Sequence, residues 1–346
     1  MTLASGVPML LLRLAALGLA SALAVPALAT PANLPAYGAD PKQTSVSGLS
    51  SGAFMAVQLQ VAYSRVIVGA GIIAGGPYYC AANNEFFAGI CMGEVPFFTP
   101  NPALMARFAK DFANARSIDR LGNLRTRRIY VFSGTDDTIV RQPAVDATVS
   151  FFKQVGVKEG NLQYVNAVPA GHAVITPSFG NDCAVNAAPY INHCSVGSEG
   201  YDQAGEVLKQ IYGDLNPRAD APAGQIVSFN QLAYAAADTG MADTGYLYVP
   251  RNCTATGAHC RIHVALHGCL QAAESVGSHF YTDTGYNHWA DTNNILVLYP
   301  QVNKSTHPAN PQGCWDWWGY TGGNYAKKSS LQMKAIMAMV SRLGSP

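Results

Sequence analysis

Charge is scarce in this chain of 346 residues. Asp, Glu, Lys and Arg together make up 12% of it, and 22 basic against 21 acidic side chains leave a formal net charge of +1. A phosphate-rich partner needs a basic stripe to replace its counterions, and none is present, which argues against nucleic-acid binding. No C-x-x-C pair occurs among the eight cysteines, and a structural zinc site is set aside on that ground. Outside residues 9–24 no run is long and apolar enough to cross the ~30 Å core of a bilayer. Internal repeats and low-complexity tails are also missing, so neither a solenoid nor a long disordered linker is expected.

What is present is apolar and rich in cysteine. Hydrophobic residues reach 49%, ample for a large core. Residues 9–24 form a Leu/Ala run broken by Arg13, Gly18 and Ser21, with Ala27 and Ala29 following. This reads as a secretory signal over residues 1–29, cleaved after Ala29, with an uncleaved anchor as the alternative. Residues 30–346 then form a single domain without an appended binding domain, secreted to the extracellular space or the periplasm, with no stable membrane insertion and as a monomer. Eight cysteines in an exported chain point to disulfides. Proximity suggests Cys80 with Cys91, Cys183 with Cys194, Cys253 with Cys260, and Cys269 with Cys314. No metal and no cofactor is expected.

The coarse pattern alternates strand and helix. Residues 44–47, 66–74, 128–133, 162–168, 245–250, 261–267 and 295–300 read as strands, several of them continuous apolar runs of the buried parallel kind. Residues 51–63, 102–115, 144–155, 201–212, 279–291 and 329–343 read as helices. Such alternation builds an α/β fold, a mostly parallel sheet flanked by helices. Residues 216–224 read as a surface crossing.

The segment Gly48-Leu-Ser50-Ser51-Gly52 has the form G-x-S-x-G, the nucleophile elbow of α/β-hydrolases, where a serine stands on a tight strand-to-helix turn. The two glycines remove Cβ atoms that would crowd the turn. Ser50 takes the central position, and Ser51 is better placed to offer its backbone N–H than its hydroxyl. An orienting acid and a base should follow in the order Ser, Asp or Glu, His. Asp137, or its neighbour Asp136, stands in the loop after strand 128–133, and His172 follows the next strand. His193, His263 and His267 are the competing bases. A second signal is Ile262-His-Val-Ala-Leu-His-Gly-Cys269, a buried strand running into His-Gly, as in esterase oxyanion loops. The backbone N–H groups of Ser51 and Cys269 are the expected donors, with His267 shaping the loop.

In an ordinary α/β-hydrolase the oxyanion strand precedes the elbow, whereas here it follows far downstream. Placing residues 245–343 ahead of residue 44 restores the usual order. The expectation is a circularly permuted α/β-hydrolase, in which residues 262–267 and 44–47 share one sheet.

The stretches Ser47–Gly52, Ala74-Gly-Gly-Pro-Tyr78, Thr244-Gly-Tyr-Leu-Tyr-Val-Pro250, His263-Val-Ala-Leu-His-Gly-Cys-Leu-Gln271, Thr284-Gly-Tyr-Asn287 and Gly313-Cys-Trp-Asp-Trp317 resemble poly(3-hydroxybutyrate) depolymerases. The likeness is to the single-domain, circularly permuted type known from a fungal enzyme. It implies a serine esterase hydrolysing poly(3-hydroxybutyrate) to oligomers and monomers through an acyl-enzyme, with Ser50 as nucleophile, Asp137 rather than Asp136 as acid and His172 as base. It also implies oxyanion donors at Ser51 and Cys269 and a substrate contact at Trp317. Trp315 and Trp318 are weighed as further substrate contacts, with core packing as the alternative for each. The expected partners are a polyester surface and hydroxybutyrate oligomers. The competing functions are a feruloyl or acetyl-xylan esterase and a non-catalytic polyester-binding protein.

Overall fold

The apolar runs that read as buried strands assemble side by side in the computed structural model, which describes residues 1–3, 6, 32–255 and 257–346. The expected signal run and its cleavage position lie outside the described residues. Residues Pro31–Pro346 form one unit and Met1–Thr30 another; the fold below is that of the larger.

In chain order the main strands are β1 (Thr44–Leu49), β2 (Ile67–Ile73), β3 (Arg128–Phe132), β4 (Leu162–Val165), β5 (Gln225–Asn230), β6 (Thr244–Val249), β7 (Arg261–Leu266) and β8 (Ile295–Tyr299). Their spatial order is β5-β6-β8-β7-β1-β2-β3-β4. β6 is antiparallel to both neighbours, and every other pairing is parallel. Residues 44–47 and 262–267 are direct neighbours, with Thr44 opposite Ile262 and Gly48 opposite Leu266. β5 is absent from the strands read in the sequence. It pairs only with β6, at the sheet margin, and its half-solvated residues lack the continuous apolar run of a buried strand.

The long helices are α1 (Ser51–Ala62), α2 (Pro102–Asn114), α3 (Gln142–Gln154), α4 (Gln203–Tyr212), α5 (Tyr286–Asn293) and α6 (Leu331–Leu343). All twelve residues of α1 are buried, because it packs on β1, β2 and β7 at the centre of the sheet. The helix expected over residues 279–291 is two helices, His279–Asp283 and α5, parted at Thr284 and Gly285, where the backbone turns to φ 90°. α6 ends against the segment that leads into β1: the Tyr37 and Ala39 N–H groups donate to Leu343 C=O, and Arg342 Nε donates to Leu34 C=O.

β1 carries Ser45 and Ser47, polar side chains that are fully buried. Period-two geometry puts both on one face, where they meet His263 of β7. Ser45 Oγ lies 2.7 Å from His263 Nδ1 and 2.7 Å from Tyr212 Oη, and Ser47 Oγ lies 2.8 Å from His263 Nε2 and 2.6 Å from Tyr286 Oη. A buried polar cluster is tolerated because its members pair with one another. All four cysteine pairs suggested by proximity are disulfides.

Candidate active site

Parallel strands deliver the loops at their carboxyl ends to one edge of a sheet, where α/β proteins place their ligands. Ser50 follows β1, Asp137 follows β3 and His172 follows β4. Ser50 has φ 56° and ψ −122°, a conformation that costs a non-glycine residue of order 1–3 kcal/mol and is held only where its surroundings enforce it. Here they do. Ser50 N–H donates to Ile73 C=O at the end of β2, and α1 begins at once, with Phe54 N–H donating back to Ser50 C=O. A Cβ on Gly48 would sit 2.3 Å from Gly52 C, and one on Gly52 would sit 2.3 Å from Leu266 O at the end of β7. The glycines therefore let the elbow close and let the β7 loop approach it.

Asp137 and His172 are both buried, and His172 Nδ1 lies 2.8 Å from Asp137 Oδ2. The other carboxylate oxygen of Asp137 accepts from Ile139 N–H and Val140 N–H, each at 2.9 Å. Three partners thus fix the carboxylate, and a carboxylate bonded to Nδ1 leaves imidazole Nε2 for proton transfer. Asp136 is exposed and contributes its main chain, with its N–H donating to Ala170 C=O. Sequence spacing leaves the two aspartates open; burial separates them.

The β7 loop flanks the elbow from the other side. A Cβ on Gly268 would lie 3.4 Å from Leu49 O and from Ser50 Cβ. His267 is fully buried, and burial depresses its pKa to about 4, with a hydrogen bond to Gly268 O opposing the fall. Val302 N–H donates to His267 Nε2 at 3.0 Å, so that nitrogen carries no proton, and Nδ1–H donates to Gly268 O at 2.7 Å. In a trans peptide the carbonyl and the following N–H point in opposite directions. The ring thereby fixes the Gly268–Cys269 peptide with the Cys269 N–H facing away from His267. Among the described residues neither Ser51 N–H nor Cys269 N–H donates to a protein acceptor outside regular helices and strands. Ser51 Oγ is spent on Trp315 N–H at 3.3 Å.

The competing histidines are accounted for. His263 is buried in the serine pair of β1, and desolvation lowers its pKa to about 3. His193 is exposed, with Nε2 3.6 Å from Asp182. His259, His263 and His267 recur every fourth residue, a spacing that lines up metal ligands on a helix. Only His263 lies within β7, with His259 before it and His267 after it, and among the described residues no group of three or more His, Cys, Asp or Glu could hold a metal ion.

The tryptophans divide. Trp315 has no exposed surface, and its ring lies 5.4 Å from that of His267. It is a core residue against the His267 loop, the alternative weighed for it beside a substrate contact. Trp317 stacks on Phe54 of α1 at 4.3 Å and meets Trp318 edge-on at 5.4 Å, with Tyr320 beyond. Asp316 shapes this turn: one carboxylate oxygen accepts from Gly319 N–H and Tyr320 N–H, the other from Thr321 N–H. The Cys269–Cys314 disulfide ties the turn to the loop that follows β7.

Sequence reasoning misses Asn186 and Gln271. Asn186 bridges the loops that carry Asp137 and His172, and Gln271 Oε1 accepts from Gly268 N–H at 2.7 Å. Asn186 belongs to no motif, and Gln271, although it closes the stretch His263–Gln271, follows no period, so composition and pattern give no signal for either contact.

Fold and strand-end loops together define an α/β-hydrolase. No family model matches the chain. It is 40% identical over 328 residues to a polyhydroxybutyrate depolymerase of Talaromyces funiculosus, covering 90% of this chain and 92% of the relative. It is also 45% identical over 340 residues to a poly(3-hydroxybutyrate) depolymerase of Delftia acidovorans, covering 96% of this chain and 66% of that longer relative. Among solved structures, a PHB depolymerase from Penicillium funiculosum aligns with a TM-score of 0.83 at 39% identity, over 90% of this chain and 98% of the other. A PHB depolymerase variant complexed with R3HB trimer also aligns at 0.83, with 38% identity and the same coverage. The chain belongs to the polyhydroxybutyrate depolymerases.

Proposed function

We propose that the protein is a secreted serine esterase that cleaves poly(3-hydroxybutyrate), with Ser50, His172 and Asp137 as its triad. The observation that carries the chemistry is the convergence at one sheet edge of a strained Ser50 and a buried His172–Asp137 pair. The substrate class is supported by relatives named for this polymer and by the neighbour that holds a hydroxybutyrate trimer.

In the proposed reaction Ser50 Oγ attacks the ester carbonyl while His172 Nε2 takes its proton. The carbonyl oxygen becomes an oxyanion facing the Ser51 and Cys269 N–H groups. Collapse breaks the ester C–O bond, and His172 returns the proton to the departing alcohol. Water, deprotonated by His172, then attacks the 3-hydroxyacyl-Ser50 ester, and the second collapse releases a carboxylic acid and restores the serine. Asp137 holds the ring and balances its transient positive charge. Pre-aimed N–H donors of this kind are worth roughly 3–4 kcal/mol each.

Attachment to solid polymer is read from the chain's exposed apolar residues. Phe86, Phe87, Phe97, Phe98 and Leu104 stand exposed within one segment, beside an apolar hollow of about 250 Å³ lined by Cys80, Ile90, Met105 and Phe108. The segment adjoins the acid loop, since Arg141 N–H donates to Met92 C=O. Secretion is supported by the four disulfides, which persist in oxidising compartments. A permuted chain is supported by two features, the direct pairing of β1 with β7 and the hydrogen bonds from the segment before β1 to the end of α6.

The test is hydrolysis of hydroxybutyrate trimers beside feruloyl esters by the parent protein and by Ser50→Ala. The expected outcome is trimer cleavage by the parent, little feruloyl turnover, and loss of both in the variant. Trimer cleavage that survives in Ser50→Ala rejects the mechanism, and feruloyl rates above trimer rates reject the substrate.

A further inference from the structure

We infer that the disulfide-closed loop Cys183–Cys194 is a positioning element that holds the acid, base and oxyanion loops in register, with Asn186 as its central positioning residue; this rests on the esterase reading above. The loop touches all three arms of the site. At one end Asn186 Oδ1 accepts from His172 N–H at 2.8 Å and from Thr138 N–H at 3.1 Å. Its Nδ2 donates to Asp136 C=O at 3.0 Å and to Ala184 C=O at 3.1 Å. A side-chain amide has two donor and two acceptor positions, and this one uses all four. Aspartate has the shape but no donors, alanine has neither, and glutamine is a methylene too long. At the other end Gln271 Nε2 donates to Pro189 C=O at 3.1 Å and to Tyr190 C=O at 2.9 Å, while its Oε1 takes Gly268 N–H. The same side chain therefore anchors the oxyanion loop to the Cys183–Cys194 loop.

The loop is stiff enough to serve as a reference frame. The disulfide closes it. Inside it the fully buried Asn192 donates through Nδ2 to Cys183 C=O at 2.9 Å and to Val185 C=O at 2.7 Å. Gly171 N–H, next to the base, donates to Cys183 C=O at 2.8 Å. The Tyr190 ring meets the His172 ring edge-on at 6.2 Å. Asp137 and His172 sit on loops after different strands, so their separation depends on both loops staying in place. Asn186 binds the backbone on either side of Asp137 and the N–H of His172 itself.

The test uses Asn186→Ala and Asn186→Asp in the full protein, assayed on soluble p-nitrophenyl butyrate and by the rate of fluorophosphonate labelling at Ser50. Small misplacements in a catalytic site cost up to about 10²-fold. The expected result for Asn186→Ala is kcat and labelling rate both down about 10- to 100-fold, with KM within about two-fold and the unfolding midpoint nearly unchanged. Asn186→Asp, which keeps the acceptor that holds His172 N–H, should lose less. A kcat indifferent to either substitution overturns the proposal, as does an activity loss that merely follows the folded fraction. A parent protein that neither hydrolyses the ester nor labels at Ser50 overturns the esterase reading itself, and the positioning role with it.

Discussion

The two loops that flank Ser50 each present a buried histidine, and the pair differs in one respect that decides their roles. His172, after β4, has one ring nitrogen bonded to Asp137, and the other makes no protein hydrogen bond among the described residues, as its proposed role requires. His267, after β7, has both nitrogens engaged, one accepting from Val302 N–H and one donating to Gly268 O. Burial without a carboxylate keeps His267 neutral, with a pKa near 4. A histidine that moves protons needs a free nitrogen; one that fixes a peptide needs none. The two halves of the sheet divide the labour in the same way. β1 to β4 carry the groups proposed to make and break bonds, and β7 with its loop carries the dipole proposed to face the oxyanion.

This contrast is open to direct attack. The largest effect is expected for His172→Ala, which should lower kcat on soluble ester by about 10⁴-fold or more, as removal of a triad member does in serine hydrolases. His267→Gln should cost about 10²-fold in kcat, the scale of a lost oxyanion donor, with KM little changed. If His267→Gln proves as damaging as His172→Ala, the division of roles fails.

Next in size is a pH effect on stability. His263 and His267 have native pKa values near 3 and 4, against ~6.5 in an unfolded chain. Between those limits the unfolded state binds the extra protons. Their stabilising contribution is therefore complete above about pH 6.5 and is lost as pH falls toward 4, by roughly 1.4 kcal/mol per pH unit for each histidine. Urea denaturation at several pH values checks it, and His263→Gln should flatten the slope by about half. An unchanged slope would show that the buried imidazoles are not the source. The smallest effect belongs to the rim. Replacing Phe86, Phe97 and Phe98 by serine should lower binding and clearing of solid polymer several-fold while leaving trimer hydrolysis unaltered, which separates adsorption from chemistry.

Much of the site is legible in the sequence because its demands are local. A strained serine turn needs flanking small residues, and Gly48 and Gly52 announce it. Strand ends carry Asp137 and His172 in an order that topology restricts. The four disulfides join cysteines close enough in sequence for proximity to pair them. What stays hidden acts across the fold. Asn186 binds main-chain atoms, so nothing in its surrounding sequence marks it. Asp136 and Asp137 differ only in which one the loop turns inward. Trp315 and Trp317 are two residues apart in one turn, yet Trp315 packs against His267 while Trp317 stacks on α1. β5 escapes because an edge strand need not be apolar.

The pairing of β1 with β7 has a consequence for how the chain comes into being. Ser50 lies early in the sequence, while the loop proposed to stabilise its oxyanion arrives only after residue 266. A growing or half-folded chain that has made the elbow, the acid and the base still lacks that loop, and Phe54 and the end of β1 have no partner at Trp317 and β7. Contacts this distant in sequence form slowly. On the proposed mechanism, ester cleavage therefore waits until the last third of the chain has docked, and an incomplete molecule carries the elbow serine without its proposed oxyanion donors.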